Sequence, residues 1–600
     1  MSLPAYQSKD QAYEAGMAAL APYLDGSSLN SLSRVNSTFF KVFGSYLWKD
    51  PIKIIYKSRT PYTKAIKFIS QKHGERFSDV VQILDFRPLI RLKDNGYLIH
   101  DFIPNERYFN CHYILNILTY FKNLKFVVLD DIQNSRNAYF YDETYTRYNI
   151  KPLLLSVSSS VLLDMSAVLE ADMFSNLMYL DISATYHAPA AIASLSNYEF
   201  GNLRIVKMSN MRLTKLPRFV LALGLRLWSL DVSENLLTDI DIDALILHCI
   251  KPAISRPDSL TPQVTDAAFF DHPPEYTLHG DVQDDIPARR PDSTTPFIEA
   301  MLNTDDDVSN PMYANTGLTQ LYISSNRLTS VGTRLLLRTT NRLQVLDLGA
   351  MQSDVHPTMI HAEHATIFHT NGPNLMPPSH LERIRIHHSF VTYVPTLTLG
   401  SSTHYHEAYI QQAEIFAQGY TSDPNISYDP LQNHRITHLI LTHIPTKSYG
   451  ILIDHLIALI RKVTKQHQDI ETVRAAATRH RRSPVLLPGL RLLRLEFIHD
   501  DGRGEMSSSY SSVSGDRDAD TFLERSLGDF SFFGEGEGGD GGLAAGKMKK
   551  EKDKKVKGRG KEKEKEKVLR DVVAELKTFR EKEQPRWSGQ LQLVVPARGL

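Results

Sequence analysis

Four histidines fall close together, His356, His361, His364 and His369, with His361-Ala362-Glu363-His364 in H-x-x-H form and His404, His406 and Glu407 further on. Imidazoles three or four residues apart are the ligands that zinc sites use. A closed site needs four ligands at defined positions, and nothing in the spacing fixes the other two. We assign no metal and read these as loop and surface histidines. Gly534-Glu535-Gly536-Glu537-Gly538-Gly539 matches G-x-G-x-x-G letter for letter. It lies in a glycine and acid tract, without the preceding strand and following helix that a phosphate cradle requires. Gly541 to Met548 approaches a P-loop, but Met548 stands where a serine or threonine would hold magnesium. Cys111 and Cys249 are the two cysteines, and neither belongs to a CxxC pair. That spacing excludes a zinc ribbon, a dithiol redox motif and a disulfide framework. No G-x-S-x-G or H-E-x-x-H is present, so no catalytic group and no cofactor is assigned.

The chain has 600 residues, 42% of them hydrophobic, and a formal net charge of zero. The length exceeds what one core usually supports, so several domains or a repeat array is expected. The charge balance argues against whole-chain attraction to nucleic acid or to an anionic membrane. No basic segment followed by an apolar stretch opens the sequence, and no run of about 18 apolar residues occurs. The low cysteine count fits a reducing compartment, so the expectation is a cytoplasmic or nuclear protein.

One pattern recurs, L-x-x-L-x-L with other apolar residues tolerated. The clearest copies are Leu227-x-x-Leu230-x-Val232-x-x-Asn235-x-Leu237 and Leu318-x-x-Leu321-x-Ile323-x-x-Asn326-x-Leu328. Shorter copies start at Ile150, Leu177, Leu203, Leu343, Leu381, Ile436 and Leu490, and weaker ones at Val81, Leu124 and Ser588. From 124 the starts fall at 150, 177, 203 and 227, giving steps of 26, 27, 26 and 24 residues, and 318 to 343 is a step of 25. The motif and its interval resemble the leucine-rich repeat. The second and third apolar residues alternate with others, so they lie on one face of a short strand. One strand cannot bury that face alone, whereas stacked copies bury it together. The expected fold is α/β, a solenoid with a curved parallel sheet and outer helices. Cys111 to Phe121, His406 to Gly419, Gly450 to Lys462 and Val568 to Lys582 read as helices, and Trp587 to Pro596 as a closing strand. The asparagine is expected to satisfy backbone groups at the turn leaving the strand.

In such a solenoid the residues flanking the inner apolar positions line the concave face. They include Tyr179, Asp181, Asp231, Tyr322, Asp347, Arg383, Arg385, His387 and Arg494. The sign passes from acidic to basic along that series. The C-terminal half of the face is therefore expected to suit an acidic or phosphorylated partner.

Tyr23 to Pro51 has helix periodicity at Leu29, Leu32, Asn36, Phe39 and Phe43. Tyr23-Leu24, Leu29, Leu32-Ser33-x-Val35-Asn36, Phe39 and Leu47-Trp48-Lys49 resemble the second half of an F-box. The leucine-proline opening of that family is missing; Gln11-Ala12-Tyr13-Glu14 stands there, and Pro22 interrupts the helix. The resemblance implies docking of a Skp-family adaptor, and through it a cullin, within a ubiquitin ligase. Leu24, Leu29, Leu32, Leu47 and Trp48 would be the adaptor contacts, and the repeats would hold a protein substrate. The alternative is a helical cap on a plain repeat scaffold.

Boundaries follow from composition. An F-box-like module spans 12–52, repeats 75–250, and a disordered Pro- and Asp-rich insertion 251–315. Repeats resume over 316–499, a low-complexity disordered segment covers 500–566, and a helix and closing strand occupy 567–600. Lys547–Lys567 holds 12 basic and 5 acidic residues; the interleaving reads as a solvated tract, not a nucleic-acid tail.

Overall fold

The computed structural model describes residues 9–57, 79–91, 121–131, 152–159, 176–185, 200–250, 290–303, 317–339, 343–349, 381–394, 407–418, 435–477, 488–498 and 568–595, with isolated positions 64, 65, 68, 192, 195 and 430. The histidine group at 356–369, His404 and His406, Cys111, the glycine-rich motifs and the tract Lys547–Lys567 lie outside the described residues.

Within them the chain is α/β, with one twelve-stranded sheet. The first eight strands are β1 (Ile83–Asp85), β2 (Phe126–Val128), β3 (Leu154–Ser156), β4 (Tyr179–Asp181), β5 (Ile205–Lys207), β6 (Ser229–Asp231), β7 (Gln320–Tyr322) and β8 (Val345–Asp347). The sheet continues through β9 (Arg383–His387), β10 (His438–Ile444), β12 (Leu492–Phe497) and β14 (Gln590–Val594). The strands stand side by side in that order, and every adjacent pair is parallel. A short antiparallel pair, β11 (Lys447–Ser448) with β13 (Arg570–Asp571), lies outside it.

All twelve strands fall on copies of the apolar motif, one of them in a shifted register. Leu154, Leu155 and Ser156 pair with Tyr179, Leu180 and Asp181. The inner residues of that copy are therefore Leu155 and Val157, both buried. Its start is Pro152 and not Ile150, which makes the steps from 124 to 177 equal to 28 and 25 residues. Leu153, Leu154 and Leu155 are consecutive leucines, and periodicity alone cannot phase such a run.

One side chain per strand from the motif's second apolar column, from Leu84 and Val127 to Leu493 and Leu591, enters a single core. Helices close that core from behind. Asp239–Cys249 contributes Ile242, Leu245 and Cys249, and Ile451–Ala477 contributes Leu452, Leu456, Leu459 and Val463. The Cys249 thiol is buried there, which pushes its pKa up to about 12; it is a packing residue. No described helix is long and apolar enough to cross a membrane.

Two features hold the copies in step. From β1 to β10 the carbonyl one residue before each strand accepts two N–H groups of the next copy: Arg204 takes Trp228 and Ser229, and Trp228 takes Thr319 and Gln320. The asparagines do the same for the turns. Asn235 accepts from the N–H groups of Met211 and Leu213 and donates to the carbonyls of Met208, Val232 and Ser233. Asn326 accepts from Leu237 N–H and donates to Val232, Ile323 and Ser324.

Asn235→Ala would strand two buried amides and uncover their carbonyls. The expected loss is about 2–4 kcal/mol, read as a lower urea midpoint and melting temperature. A midpoint equal to wild type would show that the turn is satisfied by other groups.

Candidate functional site

The sheet face opposite the core, the front face, is where the sequence places the partner-binding residues. It divides into two halves of different chemistry.

From β1 to β5 the first outward position of each strand is apolar. Ile83, Phe126, Leu154, Tyr179 and Ile205 stand in register across β1 to β5. They form a second core with Trp228 and with Phe297, Ile298 and Met301 of the helix Thr294–Asn303. This corrects the expectation for residues 251–315: Arg290 to Asn303 is an ordered segment laid on the front face. Phe297 packs 5.4 Å from the Tyr179 ring and 6.5 Å from Phe126. Tyr179 Oη and Thr294 Oγ1 are hydrogen-bonded at 3.2 Å. Tyr322 Oη donates to Asp292 at 2.5 Å, Gln320 donates to the Arg290 carbonyl, and the Arg290 guanidinium stacks 4.8 Å from the Trp228 ring.

Tyr179 and Tyr322 are therefore covered by the chain itself, not open to a partner. Asp181 and Asp231 are also buried. Lys207 stands between them in register, and its ammonium lies 5.5 Å from the Tyr179 ring. Burial raises the Asp181 carboxyl above its ordinary range, against the pull of Lys207.

The second half corrects the expectation of an open basic surface. Arg385 donates to Glu496 from Nε and Nη2 at 3.1 and 2.8 Å, and to Asp347 from Nη1 at 3.3 Å. Arg494 adds a 2.9 Å contact to Glu496. Burial pushes the Glu496 carboxyl up, but Arg385 and Arg494 bring it below its ordinary value. Asp347, with one longer contact to Arg385, stays raised by burial. Burial pulls Arg385 down, and its two carboxylates outweigh that and keep it protonated. Asp347, Arg385, Arg494 and Glu496 are thus one internally neutralised cluster. Arg383 beside them is half-buried. His387 is buried, hydrogen-bonded to Ser389, and stacked between His388 and His443. Burial lowers His388 to about 3 and His443, also facing Arg385, to about 4, so both are neutral near pH 7. Among the described residues no group of three or more metal-ligating side chains converges.

A second candidate surface belongs to the N-terminal helices. Lys9–Leu20 ends at the Pro22 turn. Gly26–Leu32 is capped by Asp25, which accepts from Ser28 N–H, and Asn36 caps the helical run from Ser37 by accepting from Phe39 N–H. Met17, Ala21, Leu29, Val42, Phe43 and Leu47 make a small core of their own, with Leu24, Leu32 and Trp48 packed at its edge. Leu29 and Leu47 are therefore interior residues, and Trp48 stacks on Phe68 at 5.7 Å, joining the module to the main core. Tyr13, Leu20, Val35 and Phe40 are exposed, and Tyr23 is 87% exposed. The sequence pattern identified the apolar positions but not which of them face outward.

The chain matches no protein-family model and no curated protein.

Two measurements test this geometry. Arg385→Met leaves the buried Asp347 without its cation and Glu496 with Arg494 alone, and should cost about 3–5 kcal/mol, while adding Asp347→Leu, Glu496→Leu and Arg494→Met should recover most of that loss. Failure of the quadruple variant to recover would place the importance of Arg385 outside the cluster. The Asp50 carboxyl at the module junction is pushed up to about 7 by burial and by Asp85. Its folded pKa lies above the unfolded one, so the stability it contributes at low pH is lost between about pH 4 and 7. Asp50→Asn should raise the melting temperature at pH 7.5 and leave it nearly unchanged at pH 4; equal shifts at both values would exclude the titration.

Proposed function

We propose that the chain is a non-enzymatic substrate receptor: an F-box-like module that docks a Skp-family adaptor, and thereby a cullin ubiquitin ligase, followed by a leucine-rich-repeat array that holds a protein. The observation that carries this reading is the N-terminal module's own core with apolar side chains left outside it. A helix that served only to end a solenoid would turn its large apolar groups onto the array. Here Tyr13, Leu20, Tyr23, Val35 and Phe40 remain exposed around a separate small core, and that surface is where we place the partner.

By this reading Leu24 and Leu32, at the rim of the small core, contribute from the edge of the interface. Leu29 and Leu47 support it from within. Trp48 sets how the module meets the array.

One observation favours the competing reading, a plain scaffold with a helical cap. The Lys49 carbonyl accepts the N–H groups of Gln82 and Ile83, so the module does end the sheet. The two roles are compatible, and adaptor affinity separates them. Wild-type chain should bind purified adaptor with a Kd of about 10 μM or tighter. Tyr23→Asp with Phe40→Asp should weaken it at least about tenfold with little change in melting temperature. Leu29→Ala should instead lower the melting temperature. Absence of binding by folded wild type at about 100 μM adaptor would leave the scaffold reading.

A further inference from the structure

The segment 290–303 is not a repeat and contributes nothing to the register of the array. Ser229 pairs directly with Gln320, and Trp228 accepts from Thr319 and Gln320, as in every neighbouring copy. Asn326 reaches back to Leu237 and Val232, and Asp239 accepts from Thr329 N–H at 2.9 Å, all across the point where the excursion leaves. The sheet is complete without it.

The segment nonetheless lies across the strands as a ligand would. Arg290 and Asp292 sit at Trp228, Gln320 and Tyr322, on β6 and β7. Thr294 and Phe297 sit at Tyr179 and Phe126, on β4 and β2. Thr295 reaches Arg87, beyond β1, at 3.5 Å. The fit is uneven. Under the helix the contact is apolar and close. Under the extended part, the Trp228 Nε1, Ser229 Oγ and Gln320 Oε1 atoms of the sheet and the Ser293 Oγ of the segment are buried with no hydrogen-bond partner among the described residues. Each such atom costs free energy, so the extended part is the weaker half of the contact and the place where the resident is least well held. The floor itself offers two donors and an acceptor that residues 290–293 do not use.

We propose that the front face over β2 to β7, apolar under the helix and polar under the extended part, is a peptide-binding site that residues 290–303 occupy in cis. The partner that replaces them is a peptide of the same chemistry. It has an extended Arg-x-Asp for the Trp228 ring and the Tyr322 hydroxyl, then a helix that turns Phe-Ile-x-x-Met onto Phe126, Leu154 and Tyr179. This rests on the reading that the array holds a protein, and not on adaptor binding. A tethered segment has an effective concentration in the millimolar range, so a free peptide of micromolar affinity competes poorly until the resident is weakened.

The test uses full-length chain and a fluorescein-labelled peptide of residues 290–303, read by anisotropy. Phe297→Asp with Met301→Asp in the protein should expel the resident helix and raise peptide affinity at least about tenfold over wild type. The same peptide carrying Phe297→Asp should not bind, and Leu154→Asp added to the opened protein should abolish binding. An opened protein that keeps its circular dichroism and melting transition yet binds no peptide would overturn the proposal. Hydrogen exchange on wild type covers the case in which the variant does not fold. Amides of 290–303 should exchange at least about tenfold faster than those of β4 and β5; equal protection would make the segment a fixed part of the fold and sink the idea. Loss of adaptor binding in the same preparation would touch only the adaptor reading.

Discussion

The rest of the molecule depends on one backbone contact repeated along the sheet. From β1 to β10 the carbonyl just before each strand accepts two N–H groups from the next copy, ending with Thr437, which takes Arg491 and Leu492; the Lys49 carbonyl of the helical module does the same for the first copy. Each contact sets one strand in register with its neighbour. Because side chains alternate across a strand, a slip of one residue would exchange the faces. The ladder therefore decides that Leu180, Val206 and Leu230 point into the core while Tyr179, Ile205 and Ser229 point to the front. The asparagine turns reinforce it by binding both their own copy and the one before.

With the register set, the front face becomes a list of columns, and its two halves solve different problems. The first half carries apolar residues that would otherwise form a large exposed patch, and the chain covers them with Phe297, Ile298 and Met301. The second half carries charges, which are expensive to bury unless paired and fully hydrogen-bonded. The two nitrogens of Arg385 facing Glu496 and the third facing Asp347 supply that pairing. Neither half is an open array of cations waiting for an anion. In the proposed peptide site, recognition would begin with displacement in the first half.

Much of this was legible in the residues, for identifiable reasons. The inner apolar positions have a fixed spacing within each copy of the motif, so all twelve strands could be located; only the leucine run at 153–155 was misphased, where pairing with Tyr179–Asp181 decides and periodicity is silent. Asn235 and Asn326 could be read because short amides serve turn backbones wherever they occur. The covering helix was missed because Pro- and Asp-rich flanks dominated the composition of 251–315, although Phe297, Ile298 and Met301 carry helix spacing within it. The matching signal on the sheet, Phe126, Leu154 and Ile205 at positions expected to meet solvent, was equally present. The basic half was misjudged because a list of outward residues gives signs but not pairings. Glu496 lies 111 residues from Arg385, and only the fold brings them together.

A parallel stack must also end, since an open strand edge invites further strands. At the far end β14 pairs with β12, and the chain then braces it. The helix Val572–Lys582 packs on Ile451–Ala477, with Glu583 paired to Arg461 and Trp587 buried. At the near end a helical module does the work of a strand: Lys49 supplies the carbonyl, and Trp48 the aromatic surface against Phe68. The two ends differ in what remains outside. The closing strand belongs to the array's own core, while the N-terminal module has a separate one and keeps Tyr23 and Phe40 in solvent. Ending the sheet requires only the residues at the junction. The separate core and its exposed aromatic side chains exceed that requirement, and this surplus is the physical reason to assign the module a partner in addition to its place in the fold.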